Sequence, residues 1–308
     1  MIIYQSNRNW LRDIRHLFTS FTMQKVVKST LLVMLLTGVI AWVQSDMINL
    51  GRRGLDVTVF SLLGVVLSIL LSFRTNTAYD RWWEGRKLWG ELVNNCRNMA
   101  AYLHSTLPDE DLSSRRFIAF RLSNFCIVLK GHLRNSIEMK ELLSVSEEDI
   151  RVYSTKSHLP SFIAYEIMHH IQGFLKAGEI RGEDLINLHE HSKALLNIAG
   201  ACERIRKTPI PFSYNVYLKL FITVYALCLP FALIPMFHYW SVLLVGFVFF
   251  AFIGLELMAE EIEDPFGLDC NDLPIAEIAN NIKKNIFEIF ELRQPEQEPA
   301  NPLYTKVF

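Results

Sequence analysis

Apolar positions in this chain fall into two patterns. In the first they run on with no charge between them: Ser29–Val43, Val57–Phe73 and Leu220–Leu255 each lack Asp, Glu, Lys and Arg. In the second they recur at helical spacing among charges, as at Leu88, Leu92, Met99 and Leu103, then at Phe117, Phe120, Leu122 and Phe125. The uninterrupted runs predict membrane-spanning helices. With Val26, Val27, Gln44 and Ser45 as flanks, the first is just long enough for a hydrocarbon layer of ~30 Å. The third is too long for one span, since a straight helix of that length would reach about 54 Å at ~1.5 Å per residue. It reads as a hairpin of two spans turning near Pro235–Trp240, where His238, Tyr239 and Trp240 suit a membrane interface. Pro230 is expected to kink the third span.

The interleaved pattern predicts a helical domain in water over residues 76–208, with no run of strands. Glu147–Pro160, rich in Ser and charge, reads as a loop. Lys207-Thr208-Pro209-Ile210-Pro211 breaks the chain before it re-enters the membrane, because each proline disfavours helix at the residue before it. The expected order is an amphipathic helix in residues 1–24, spans one and two in 25–75, the aqueous domain in 76–208, spans three and four in 209–258, and a last helix with a proline-rich tail in 259–308. The N-terminal helix has Trp10, Leu11, Ile14 and Phe18 as its apolar stripe and would lie in the membrane interface.

Composition agrees with a protein that lives in two solvents. Apolar residues make up 51% and charged residues 20%, too greasy for a soluble domain and too charged for one wholly embedded. A net charge of -1 carries no nucleic-acid footprint. The five cysteines include no C-x-x-C pair, so reduced thiols are expected, with Cys228 inside a membrane helix. Arg8, Arg12, Asp13 and Arg15 interrupt any signal-peptide pattern at the N-terminus. Four spans place both termini on one side. Lys and Arg crowd residues 8–28 and 74–97 and outnumber Arg52 and Arg53 in the opposite turn, so both termini and the large domain are expected in the cytoplasm.

Within the second span, Val65, Ile69 and Phe73 recur every fourth residue and share one helical face, while Gly64 and Ser68 would let other helices approach. The stripe suits a pore wall built from several copies, although any apolar span has some such stripe that could face lipid or a neighbouring helix. Arg81, Trp82 and Trp83 follow at the inner boundary as expected anchors. His189-Glu190-His191 is no metal pair, because residues two apart on a helix point to roughly opposite sides. Motifs of enzymes are missing: no G-x-S-x-G, no H-E-x-x-H and no P-loop. A transporter would call for inverted repeats.

Three segments carry a resemblance: FRTNTAYDRWWEGRKLWGEL after the second span, CERIRKTPIPFSY from Cys202 to Tyr214, and AEEIEDPFGLDCNDLP from Ala259 to Pro274. In this order, around two pairs of spans, they resemble the bestrophin family over nearly the whole chain. The resemblance implies an all-α membrane protein with four transmembrane helices and a cytosolic helical domain. It also implies a homopentamer around a central pore in the bacterial inner membrane. Val65, Ile69 and Phe73 would form the hydrophobic neck of that pore, a constriction able to gate by dewetting.

A second, cytosolic aperture implied by the family falls near Glu183, where relatives carry a small aliphatic residue; Ile180, Asp184 and Leu185 stand as alternatives. A ring of Glu183 would attract cations, and small monovalent cations are the expected cargo, with an anion channel as the alternative. Glu183 and Asp184 would equally suit a helix N-terminus. Asp264, Asp269 and Asp272 match acidic positions of the family's calcium clasp, but ligand density is reduced here, and no cofactor is expected to be required.

Overall fold

The computed structural model describes residues 21–44, 55–269 and 271–294. The apolar stripe expected in the N-terminal segment, the turn with Arg52 and Arg53, Cys270 and the proline-rich tail lie outside the described residues. Among the described residues all regular structure is helical: α1 Phe21–Trp42, α2 Val57–Thr106, α3 Leu112–Leu133, α4 Glu147–Ser154, α5 Leu159–Ala177, α6 Gly182–Lys207, α7 Phe212–Phe237, α8 Trp240–Glu263 and α9 Ile275–Ile289, with a 3-10 turn at Met139–Glu141. Parts of α1, α2, α7 and α8 are long and apolar enough to cross a membrane.

α2 is the axis of the molecule. It has 50 residues, which is about 75 Å of helix at ~1.5 Å per residue and more than twice a ~30 Å hydrocarbon layer. The Asp56 carboxylate caps its start, accepting from the Thr58 N–H at 2.8 Å. The change of character after Arg74 is a change of surroundings and not a break in the helix. Before it, α2 buries Phe60, Leu67 and Leu71 against Leu218, Ile222 and Tyr225 of α7 and Val245 and Phe249 of α8. Beyond it, the same helix buries Trp89, Leu92, Cys96, Met99 and Leu103 in a second core shared with α3, α5, α6 and α9. α1 packs on α8, where Gly246 admits Met34: a Cβ at Gly246 would stand 2.5 Å from Met34 Cγ. Small residues serve membrane helices in this way by letting them approach closely.

One expectation changes. Glu147–Pro160 is not simply a loop. Ser146 and Asp149 form a reciprocal capping box, and Glu147, Glu148 and Asp149 fill the first turn of α4, where carboxylates favour the positive end of the helix dipole. The charge that suggested a linker is what starts this helix. α7 runs on through both Pro230 and Pro235, and the hairpin turns where expected, at His238, whose φ of 51° is unusual outside glycine. Its N–H still bonds Ile234 O at 2.8 Å.

The end of α3 shows how tightly the water-facing half, the head, is closed. Gly131 O accepts from the Ser136 N–H at 2.9 Å as the chain reverses. A Cβ there would stand 2.8 Å from Ser136 O and 2.9 Å from Ile137 Cα, both backbone atoms. Gly131→Ala should therefore destabilise the protein by about 1–3 kcal/mol, read as a lower melting temperature in detergent; an unchanged melting curve would show that this reversal can open.

Candidate ion path

The residues expected to form a neck stand where helical spacing placed them, on a face of α2 that its own chain leaves uncovered. Val65, Ile69 and Phe73 are 56%, 52% and 64% exposed. A groove of about 600 Å³ runs beside them, lined also by Ser61, Ser68, Ser72 and Asn76 of α2 and by Tyr225, Val248 and Phe252. Three serines on this side of a mainly apolar span, with Asn76 just past its end, mark a surface other than plain lipid contact, since polar groups in spanning helices face water or protein. Gly64 allows the groove its depth: Tyr225 Oη would be 3.0 Å from a Cβ there, and that hydroxyl donates to Phe60 O at 3.2 Å.

The face continues past the neck. At the same three- and four-residue steps it presents Asn76, Asp80 and Lys87, all exposed. Reading the segment after Arg74 only as a fastening missed Asn76 and Asp80; the spacing that singled out Phe73, carried two steps further, reaches both. The fastening itself is real. Arg81 donates to Glu263 O at 3.0 Å, to Ile205 O at 2.6 Å and to Thr208 O at 2.5 Å. Trp82 Nε1 donates to Asn271 O at 3.0 Å, while Trp83 stays exposed.

α6 runs beside α2 and brings the expected aperture residues to the far end of the head. Asp184 is a helix-capping and bridging group: it accepts from the Arg181 N–H at 2.8 Å and from Tyr102 Oη at 2.8 Å. The backbone bond first, then the tyrosine, holds its carboxyl below the usual range. Tyr102 lies 29 residues beyond Phe73 on α2, so this level is about 44 Å from the neck at ~1.5 Å per residue. Ile180 does not suit an aperture, because it is buried in the head core. Leu185 is half-buried against that core. Glu183 is exposed, and so is Ile186, a residue outside the expected set, at 72%. It stands one turn beyond Glu183 on the same face. An exposed isoleucine in a polar helix was the signal available, and matching by register alone obscured it.

The three aspartates of the expected calcium clasp do not converge. Among the described residues, the one group that brings three possible ligand atoms within 4.8 Å is His132, His158 and Glu203. Calcium takes six to eight oxygens, backbone carbonyls and waters among them, and the carboxylates of Asp264, Asp269 and Asp272 do not by themselves form such a cluster. Asp272 instead folds back into its own turn: Oδ2 accepts from the Asp269 N–H at 2.6 Å, while Oδ1 is buried with no hydrogen-bond partner. Burial, then the neighbouring Asp269, Asp264 and Glu261, push its carboxyl up to about 7 against the opposing Asp269 N–H bond.

The histidine cluster is a tie between α3, α5 and α6. His158 Nδ1 accepts from the Ser161 N–H at 3.1 Å as the cap of α5, which leaves the proton on Nε2, where it bonds Glu203. A metal on that nitrogen would have to displace the proton onto the capping nitrogen. Lys207 also reaches Glu203 at 3.0 Å. Burial alone would raise the Glu203 carboxyl, but the bonds from His158 and Lys207 outweigh it and hold the group at about 2.

Three comparisons place these features among known proteins. A family model described as bacterial/fungal bestrophin protein matches residues 1–288. A voltage-dependent anion channel-forming protein of Nostoc sp. is 37% identical over 236 residues, covering 74% of this chain and 76% of the relative. A protein of the same name from Escherichia coli strain K12 is 29% identical over 289 residues and 94% of each chain. The crystal structure of a bacterial bestrophin homologue from Klebsiella pneumoniae superposes with a TM-score of 0.81 at 29% identity, over 87% of this chain and 100% of that one.

Asp272 yields a test with a definite sign. Its folded-state pKa is raised from 3.8 to about 7, so the native state binds more protons than the unfolded chain between those values. Stability should fall as pH rises through that window and level off above it. Asp272→Asn removes the contribution. The variant's melting temperature should change less than the wild type's between about pH 5 and about pH 8; parallel curves would contradict the assignment.

Proposed function

The chain belongs to the bacterial and fungal bestrophin family, and on that basis we propose that it is an ion channel whose pore is lined by α2 from several copies, five by family resemblance. The observation that carries this reading is the continuous face of α2. Val65, Ile69 and Phe73 stand exposed beside a serine-lined groove and lead into Asn76 and Asp80. One chain cannot enclose an ion path with one helix, whereas copies arranged around an axis turn each of these side chains into a ring. The apolar rings form the neck, which passes ions when wetted and stops them when dry. The path then follows the faces of α2 and α6 for about 44 Å to Glu183 and Ile186. Both termini and the head are cytoplasmic in this reading, the membrane is the bacterial inner membrane, and no cofactor is needed for passive conduction.

Small monovalent cations are the preferred cargo. Exposed Asp80 beneath the neck and exposed Glu183 at the far mouth make two carboxylate rings, with one ring of Lys87 between them. Rings of carboxylate raise the local concentration of cations. The second reading is anion conduction, favoured by the names of the Nostoc and E. coli relatives.

Two measurements test the proposal. Phe73→Ala widens the apolar ring, so ion flux from liposomes should rise severalfold over wild type; identical flux would remove Phe73 from the neck. Bi-ionic reversal potentials in planar bilayers should track the cation for the wild-type channel and move toward zero selectivity in Glu183→Gln. A reversal that follows chloride would establish the anion reading.

A further inference from the structure

Behind the neck, on the side of α2 turned away from Phe73, lies a buried charge cluster that conduction does not use. Arg74 and Glu256 are 1% and 0% exposed. Arg74 Nη2 donates to Glu263 Oε2 at 2.7 Å, and Arg74 Nε lies 3.7 Å from Glu256 Oε2. The Nε–Nη2 edge of a guanidinium normally grips one carboxylate with both nitrogens. Here that edge is divided between two carboxylates, and only one of them is bonded. Arg74 Nε and Nη1 and both Glu256 oxygens are buried with no hydrogen-bond partner. Glu263 has no such deficit, since its other oxygen accepts from the Ile210 N–H at 2.7 Å. Of the other cations on the packed elements, Arg81 of α2 is bonded to the Glu263 carbonyl at 3.0 Å and Lys219 of α7 is paired with Glu260 at 2.9 Å.

Glu256 and Glu263 are seven residues apart on α8. They share one face two turns apart, about 10.5 Å along the axis. One guanidinium therefore stands between two carboxylates of one helix face. Leaving a buried carboxylate unpaired is costly, so the arrangement seen is opposed by one in which Arg74 pairs with Glu256. Exchanging partners requires a shift of about 1 Å to bring 3.7 Å into hydrogen-bond range. Phe73 is the adjacent residue on the same helix, so any displacement of the α2 backbone during that exchange carries it along.

We propose that Arg74 is a positioning residue for the neck, a latch with two seats on α8: Glu263, occupied here, and Glu256, two turns deeper in the membrane. Exchange between the seats shifts α2 against α8 and moves the Phe73 ring between two settings. Packed elements of this kind switch between discrete arrangements and do not deform continuously. The inference rests on the pore reading above. It assigns the ion-contacting role to Phe73 and gives Arg74, Glu256 and Glu263 none.

The test uses the full-length oligomer. Glu256→Gln removes one charged seat and Glu263→Gln the other, while a glutamine at 263 still offers an oxygen to the Ile210 N–H. In planar bilayers the two variants should change open probability in opposite directions, each by roughly fivefold or more, with unitary conductance and reversal potential unchanged. Arg74→Lys, which keeps the charge but not the fork, should fall between them. Equal shifts, shifts of the same sign, or a changed reversal potential would overturn the latch. An independent readout needs no conduction: the rate at which a thiol reagent modifies Phe73→Cys in liposomes should rise in one glutamine background and fall in the other. Equal rates would also sink the latch. Opposed rates in a protein that passes no ions would keep the latch and discard the channel reading instead.

Discussion

The bonds gathered on Glu263 tie the two halves of this protein at their junction. Glu263 ends α8, and through its side chain and carbonyl it gathers Arg74 and Arg81 of α2 and the Ile210 N–H that precedes α7. Arg81 closes the group by reaching the last carbonyls of α6 and the link after it. Every chain segment that crosses between membrane and head at this level, α1 apart, is thus bonded within one cluster. In water the ion pair of Arg74 with Glu263 would contribute little. Buried at a boundary where backbone groups of a broken helix need partners, it does what solvent cannot do there.

That junction lets one helix serve two solvents. α2 does not end at the membrane surface, because its hydrogen-bond ladder is indifferent to what surrounds it. Only its side chains need to change, from a continuous apolar run to an amphipathic one. Leu67 and Leu71 bury against membrane helices, and Trp89, Leu92 and Met99 bury in the head. The same continuity carries an uncovered face from the neck to the head without a gap. In a continuous helix about 75 Å long, a displacement of the backbone at Arg74 is a displacement of Phe73 and of Asp80 alike.

Acidic residues in this chain show that composition at a site does not decide its role. Asp184, an aperture candidate that equally suited a helix N-terminus, is a helix cap tied to Tyr102. Asp272 looked like a calcium ligand and is a turn-former bonded to its own backbone. Asp80 and Glu183, by contrast, point away from their chain with nothing to satisfy there. Local hydrogen bonds separate the two groups, since a carboxylate that accepts backbone N–H bonds is already employed in the fold.

The amino-acid sequence by itself determined everything that follows from periodicity and solvent. The spans, the hairpin at His238, the helical head and the stripe of Val65, Ile69 and Phe73 were all legible, because transfer between water and hydrocarbon acts residue by residue along the chain. The start of α4 is written locally as well, in the reciprocal capping of Ser146 and Asp149. Tertiary structure alone decided what depends on residues far apart in sequence. It set Arg74 between two carboxylates some 180 positions away, buried Ile180 and exposed Ile186 one helix start later, and kept Asp264, Asp269 and Asp272 from meeting. Burial and partner choice are properties of packed elements, and no local pattern in the chain encodes them.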